Sequence, residues 1–463
     1  MPSPEPDPLR RVLLGGSALH PWLDAAITGV LTRCYFPMSR AWAAALEAGG
    51  DTDRFLAALP LRRPPRSLPD ALRRLADLRA RHEEATARWE ATFFGAGDAA
   101  APATAQVAAH AAWLATARGL MGGRGWFAPL LLRNRVPAVR WVIVPPAETA
   151  ARQGARRADP ESAFRLPESL PDPVASRPVA RGPRRDYWLR FPAPVLGDTA
   201  WASVAEPADR PEAPTVIFMH GLAVDPEYAP DPHDFAGMLV RRGLRVLRPA
   251  APWHGRRRPA GFYGGEATVA RGPLSLIESL HAAVVEAGIW AAWARGRASP
   301  SGRAPVAMAG FSLGAITAQM AAAAADWPEA ARPDALLLIA TAGDLVRSLS
   351  EGDLGRGVGA PAAFRAAGWT PEGLRDWTPL LVPQRPPALP PQRILAHLGS
   401  ADRLTFCDDA LALLRRWEVP PENVTVRRKG HYTTSLDAAL DPRLLHRLAA
   451  LLDAGPSRGC RQS

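Results

Sequence analysis

The chain has 463 residues, 47% of them hydrophobic, which suffices for a large core and is long for a single domain. The formal net charge is +11, yet all 56 basic residues except Lys429 are arginines spread along the chain, which argues against a nucleic-acid surface and leaves open only peripheral attraction to acidic lipids. Cys34, Cys407 and Cys460 are far apart and odd in number, so neither a disulfide framework nor a zinc site is expected.

Residues 1–147 read as a mainly helical extension. The start is Pro-rich, and its apolar piece VLLGGSAL is short and preceded by arginines, so no secretory leader is expected. A cytoplasmic location, peripheral to a membrane at most, fits this. Leu23, Ile27, Val30, Leu31, Tyr35, Trp42 and Leu46 recur at helical spacing and predict a helix over 21–46, broken near Pro37. Ser67 predicts a cap for a helix over 68–94, and Thr104 one for a helix over 104–121. Trp22, Trp42, Trp89, Phe93, Phe94, Trp113 and Trp126 are expected to pack these helices onto the rest of the protein. Val139 to Val144 reads as a short strand ended by Pro145 and Pro146, and the Pro-, Ala- and Arg-rich stretch 148–183 as a linker.

From about residue 184 to 455 strands and helices alternate. Tyr187 to Phe191 and Ala200 to Val204 suit an opening hairpin. Further strands are predicted over 215–219, 245–248, 306–309, 335–340, 393–398 and 424–427, with helices over 234–242, 274–295, 315–325, 408–417 and 442–452. This predicts an α/β fold: a mostly parallel central sheet with helices on both faces. The alternation lapses over 345–390, a Gly- and Pro-rich insertion too long for a plain connector and therefore a candidate cap. Residues 456–463 read as a disordered tail.

The chemistry centres on Gly310-Phe311-Ser312-Leu313-Gly314. An apolar strand runs into it and a helical pattern leaves it, so Ser312 sits at the apex of a strand–turn–helix, as in a nucleophile elbow. A serine hydroxyl needs a base, and the base an orienting acid. Asp402 follows the strand over 393–398, and His431 follows the one over 424–427; the order Ser, Asp, His suits such an elbow. Asp344, after the strand over 335–340, is a rival acid. Two N–H groups are needed to hold an oxyanion: Leu313 supplies one, and Leu222 or Ala223, after the strand ending in Met219-His220-Gly221, the other. His220 is expected to support that loop. Trp253 and His254, after the next strand, are candidate pocket-lining residues along with His220, and the Arg256-Arg257-Arg258 cluster is a candidate attractor of a carboxylate or phosphate.

Together the GFSLG elbow, the HGL loop, the GSAD turn and the GHY histidine resemble the α/β-hydrolase superfamily over residues 184–455. The resemblance implies Ser312 as nucleophile, Asp402 as acid, His431 as base and the Leu222 and Leu313 N–H groups as the oxyanion hole. It implies a lipase-like serine esterase acting on a small-molecule or lipid ester, with no metal and no organic cofactor. A narrower similarity, carried by LRPAAPWHGRRRP (residues 247–259) and the helical extension, is to α/β-hydrolase domain-containing protein eighteen, a group associated with lipid deacylation. A serine peptidase on the same fold and a non-catalytic binding scaffold stay open as alternatives.

Overall fold

The computed structural model describes residues 20–95, 102–225, 235–297, 304–324 and 326–454. The predicted tail and Cys460 lie outside them, as do Asp234 and Ala325 at the ends of two predicted helices.

Among the described residues ten strands form one sheet: β1 (Val174–Ala175), β2 (Val179–Arg181), β3 (Arg184–Pro192), β4 (Thr199–Pro207), β5 (Thr215–Met219), β6 (Arg245–Pro249), β7 (Val306–Phe311), β8 (Ala335–Ile339), β9 (Ile394–Gly399) and β10 (Val424–Arg427). Their order is β1-β3-β4-β6-β5-β7-β8-β9-β10, with β2 also paired to β3. The expected hairpin is β3–β4, antiparallel with Trp188 opposite Ser203. From β6 to β10 every neighbouring pair is parallel. β5 has β6 on one side and β7 on the other, so the chain changes direction across the sheet there. At such a switch point the carboxyl ends of the strands leave a crevice.

The strands are apolar on both sides because both faces are covered. Ile217, Met308, Leu336 and Leu338 point into one core, and their neighbours Val216, Ala307, Leu337 and Ile339 into the other. Of the helices that cover the sheet, α9 (Pro273–Arg295) and α10 (Leu313–Ala322) lie on the first face and α7 (Phe235–Val240) and α17 (Pro442–Asp453) on the second. α9 is long and apolar enough to cross a membrane, but 89% of its apolar 18-residue window is buried inside the protein.

The preceding region holds α1 (His20–Val30), α2 (Phe36–Ala48), α3 (Thr52–Ala58), α4 (Leu68–Phe94), α5 (Ala103–Gly122) and α6 (Pro146–Ala158). The break expected near Pro37 is a π-helical turn, Leu31–Tyr35, that bridges α1 and α2; its wider turn lets the helix pass the proline. Ser67 makes no capping hydrogen bond, because its backbone is already helical. Thr104 lies inside α5, which Pro102 precedes as the capping residue. Val139 to Val144 is not a sheet strand: it runs extended against the end of α8 (Glu266–Ala270), where the Val142 N–H donates to Ala270 O at 2.9 Å. Residues 148–183 carry most of α6 and both β1 and β2, so much of this stretch is regular structure rather than bare linker. Trp42, Trp89, Phe93 and Trp113 are buried, whereas Trp22 (76% exposed) and Trp126 (40%) are not.

The insertion over 345–390 folds into α11 (Leu345–Ser350), α12 (Asp353–Gly357), α13 (Ala360–Ala366) and α14 (Pro371–Arg375), packed above the crevice against the N-terminal helices. Two further helices flank β10: α15 (Cys407–Arg416) before it and α16 (His431–Leu440) after it.

Candidate active site

Ser312 lies between β7 and α10 with φ 54 and ψ −120, a conformation that side chains rarely adopt. Its own N–H donates to Ile339 O (3.0 Å), which fixes the turn to β8. The flanking glycines are required by space. A Cβ on Gly310 would sit 2.3 Å from the backbone of Gly314, and one on Gly314 would sit 2.1 Å from Met219 O. The turn therefore closes only with glycine at both positions, and Ser312 Oγ is held up at the crevice.

His431 is the first residue of α16. Its Nε2 is 2.9 Å from Ser312 Oγ, and its Nδ1 is 2.7 Å from Asp402 Oδ2. The three side chains, 119 and 29 residues from His431 in sequence, thus form one continuous chain of hydrogen bonds. His431 and Asp402 are buried, and Ser312 is partly open to solvent. Asp402 also accepts from the Leu404 and Thr405 N–H groups (2.8 and 3.0 Å) and from the Thr405 hydroxyl (2.8 Å). Burial alone would raise its pKa. The adjacent His431 imidazole and these donors outweigh burial and hold the carboxyl below the ordinary carboxylate range. Thr405 carried no motif in the sequence; its position three residues after Asp402 is the signal that an Asx-type turn was due. Asp344, the rival acid, caps α11 instead, its carboxylate accepting from the Arg347 N–H at 2.9 Å.

The loop after β5 approaches Ser312 closely. A Cβ on Gly221 would lie 3.4 Å from Ser312 Cβ and 3.0 Å from the Phe311 ring. Leu222 and Leu313 both line the cavity beside Ser312, and among the described residues neither N–H has a hydrogen-bond partner. The Ala223 N–H, the other candidate donor, is already engaged: it donates to His254 Nε2 at 3.1 Å, and Ala223 itself sits at φ 59.

His220 and His254 hold this loop from beneath rather than lining the cavity at Ser312. His220 Nδ1 bonds to Gly221 O (2.8 Å), and its Nε2 accepts from the Ala251 N–H (3.1 Å). His254 Nδ1 bonds to Pro252 O (2.9 Å), which leaves its Nε2 as the acceptor for Ala223. Burial pushes the His254 pKa down and so favours the neutral ring this pattern needs. Trp253, at φ 61, is not in the wall of the Ser312 cavity among the described residues. The arginine cluster is likewise turned inward. Arg257 is buried against Glu286 (2.7 Å) and Asp198 (2.9 Å). Arg256 stacks over Trp201, Trp89 and Trp113, and Arg258 over Trp42. Arginine here fastens the N-terminal helices to the sheet domain.

The cavity at Ser312 has a volume of about 120 Å³. Its walls include Phe36 and Trp141 from the N-terminal region, Ile316 from α10, and Leu349, Val358 and Phe364 from the insertion. Among the described residues Glu266 is the one carboxylate in its wall. That group is already tied to Arg40 (3.1 Å) and to the Arg140 and Tyr263 N–H groups. Among the described residues no three histidine, cysteine, aspartate or glutamate side chains gather in a way that could hold a metal ion.

Neither the protein-family models nor the curated protein sequences contain a match to this chain. Solved structures do resemble it. A cold-adapted esterase from an Arctic intertidal metagenomic library is 15% identical and covers 60% of this chain and 97% of its own, with a TM-score of 0.39. Acetyl xylan esterase 1 from Thermoanaerobacterium sp. JW/SL YS485 is 14% identical over 64% of this chain and 98% of its own, with a TM-score of 0.43. An acylaminoacyl peptidase from Pyrococcus horikoshii is 12% identical over 62% of this chain, which spans only 41% of the peptidase, with a TM-score of 0.37. The chain's own strand order, its parallel sheet from β6 to β10 and the strained serine turn between β7 and α10 make this an α/β-hydrolase fold.

Proposed function

We propose that the protein is a serine hydrolase that cleaves carboxylic esters with an apolar acyl group. The observation that carries the reading is the pair of contacts at His431, 2.9 Å to Ser312 Oγ and 2.7 Å to Asp402 Oδ2. A base within hydrogen-bond reach of a hydroxyl and itself oriented by an acid is the arrangement that activates serine.

In the proposed reaction His431 Nε2 takes the Ser312 proton as Oγ attacks the ester carbonyl carbon. The carbonyl oxygen becomes an oxyanion and is held by the Leu222 and Leu313 N–H groups. The bond to the alcohol oxygen then breaks, and His431 returns its proton to the leaving alcohol. Water enters, gives a proton to His431 and attacks the acyl-serine carbonyl. The bond to Oγ breaks, the acid departs and Ser312 recovers its proton. Asp402 holds the ring with Nδ1–H facing it and balances the imidazolium charge.

The apolar cavity supports the acyl preference. Water leaves Leu, Val, Trp and Phe walls at a gain of roughly 0.8 kcal/mol for each methylene that replaces it. The lipid-deacylating group named above suits the same chemistry, as one form such an ester could take.

The test is a series of p-nitrophenyl esters from acetate to decanoate, run beside an aminoacyl anilide and a phospholipid. Ester turnover that rises with acyl length, lost in Ser312→Ala together with fluorophosphonate labelling, is the expected result. Labelling that persists unchanged in Ser312→Ala would sink the nucleophile, and faster cleavage of the anilide would favour a peptidase.

A further inference from the structure

The helix α1 is amphipathic in the wrong sense. Among the described side chains Asp24, Thr28 and Thr32, four residues apart and therefore on one face, are the buried ones (7, 6 and 7% exposed, Thr32 lying in the π-helical turn). Its outward face carries Trp22, Leu23 and Val30, exposed at 76, 38 and 59%. A surface helix ordinarily buries its apolar stripe. The reason for the reversal lies in what α1 packs against.

Thr32 packs on Gly357 of α12, whereas Asp24 meets the N-terminus of α16, whose first residue is His431. The first N–H groups of a helix have no partner within it. The capping position is Gly430, which has no side chain to offer. Asp24, some four hundred residues earlier, takes that place. Its Oδ1 accepts from the Tyr432 N–H at 2.7 Å and the Thr433 N–H at 3.4 Å, and its Oδ2 accepts from the Thr433 hydroxyl at 2.6 Å. Thr433 Oγ1 in turn accepts from the Gly430 N–H at 3.0 Å. The fit excludes any side chain at 430, since a Cβ there would lie 2.3 Å from Asp24 Cγ. The carboxylate thus holds the backbone after His431 directly and, through the Thr433 hydroxyl, the Gly430 N–H before it.

From this we propose that Asp24 is a positioning residue for His431, so that the N-terminal helical region is part of the catalytic apparatus. The inference rests on the hydrolase reading for its rate effect, and on the geometry alone for the placement of the ring. The side chain of His431 leaves a helix terminus that would fray without its cap. A shift of the ring by an ångström breaks the hydrogen bond to Ser312 Oγ while leaving the acyl cavity intact. The predicted signature is therefore a loss in kcat with little change in KM.

The experiment compares Asp24→Ala and Asp24→Asn in the full-length protein, by steady-state kinetics on a p-nitrophenyl ester and by proton NMR. The NMR readout is the downfield signal of the His431 Nδ1 proton shared with Asp402, assigned by its loss in His431→Ala. Asp24→Ala should lower kcat about tenfold to hundredfold with KM within about twofold, and should broaden or shift the downfield signal. Asp24→Asn keeps an amide oxygen that can accept from Tyr432 and Thr433, so it should retain the signal and keep kcat within about threefold of wild type. A folded Asp24→Ala with the wild-type signal and wild-type kcat overturns the proposal. So does an equal loss of kcat, KM and melting temperature in both variants, which would mark a purely structural role. If the wild type hydrolyses no ester and takes no fluorophosphonate, the hydrolase reading fails separately, and the NMR signal still decides the role of Asp24.

Discussion

Asp402 Oδ2 lies 2.7 Å from His431 Nδ1, with both side chains almost entirely shielded from solvent. Asp402 also collects two backbone N–H donors and the Thr405 hydroxyl. Such a carboxylate is rigid and ionised, and it can fix the imidazole in one tautomer. Asp402→Asn should therefore keep the fold and lower kcat by roughly 10³ to 10⁴, because an amide facing Nδ1 selects the wrong tautomer. Asp344→Asn, which alters a helix cap, should leave kcat within about twofold and cost at most about 1 kcal/mol of stability. Kinetics and urea denaturation of the two variants side by side check the assignment. Equal losses of kcat would reject it.

The loop after β5 depends on an uncharged histidine. His254 Nε2 can accept from the Ala223 N–H only while it carries no proton. His254→Ala should release the loop and misplace the Leu222 N–H. The expected loss in kcat is roughly 10² to 10³, the scale of removing one oxyanion donor, with KM little changed. A KM-dominated effect would place His254 in substrate binding instead.

Acyl-length preference should respond to the insertion. Leu349 reaches the cavity from α11 and is only partly buried, so a larger ring there narrows the cavity with little disturbance of the core. Leu349→Trp should lower kcat/KM for the octanoate ester about tenfold or more, while leaving the acetate ester within about threefold. An equal loss on both esters would mean that the acyl chain lies elsewhere.

Stability should fall on mild acidification. Burial lowers the pKa values of His82, His110 and His281 to about 4, and that of His254 is lowered as well. In the unfolded chain these rings titrate near 6.5. Between about pH 6.5 and 4 the unfolded state therefore binds more protons than the native state, so stability rises with pH across that window. The melting temperature should be flat above about pH 7 and should drop progressively from about 6.5 toward 4. His281→Leu, at a buried site, should make that drop shallower. A pH profile identical to wild type would show that His281 titrates alike in both states.

Much of the architecture was legible along the chain. Apolar runs such as Thr215 to Met219 and Val306 to Ala309 became parallel strands because a sheet covered on both faces needs no polar alternation. The GFSLG turn was equally local: two glycines fit because each of their missing Cβ atoms would meet backbone. Asp402 and His431 were placed by counting strands, since each follows the end of one.

What the sequence decided, then, was the run of strands, the elbow and the order of Ser312, Asp402 and His431. Local spacing suffices for these, because the period of a strand and the steric demand of a tight turn act over a few residues. Only the tertiary structure decided that Asp402 rather than Asp344 meets His431, that His254 faces Ala223 rather than the cavity, and that the insertion and Phe36 share one apolar wall. It also decided the role of Asp24. Nothing in the spacing of α1 marks Asp24 for burial until the helix packs against the N-terminus of α16. Each of these outcomes joins residues tens to hundreds of positions apart, and hydrogen-bond satisfaction across such distances depends on how whole elements dock.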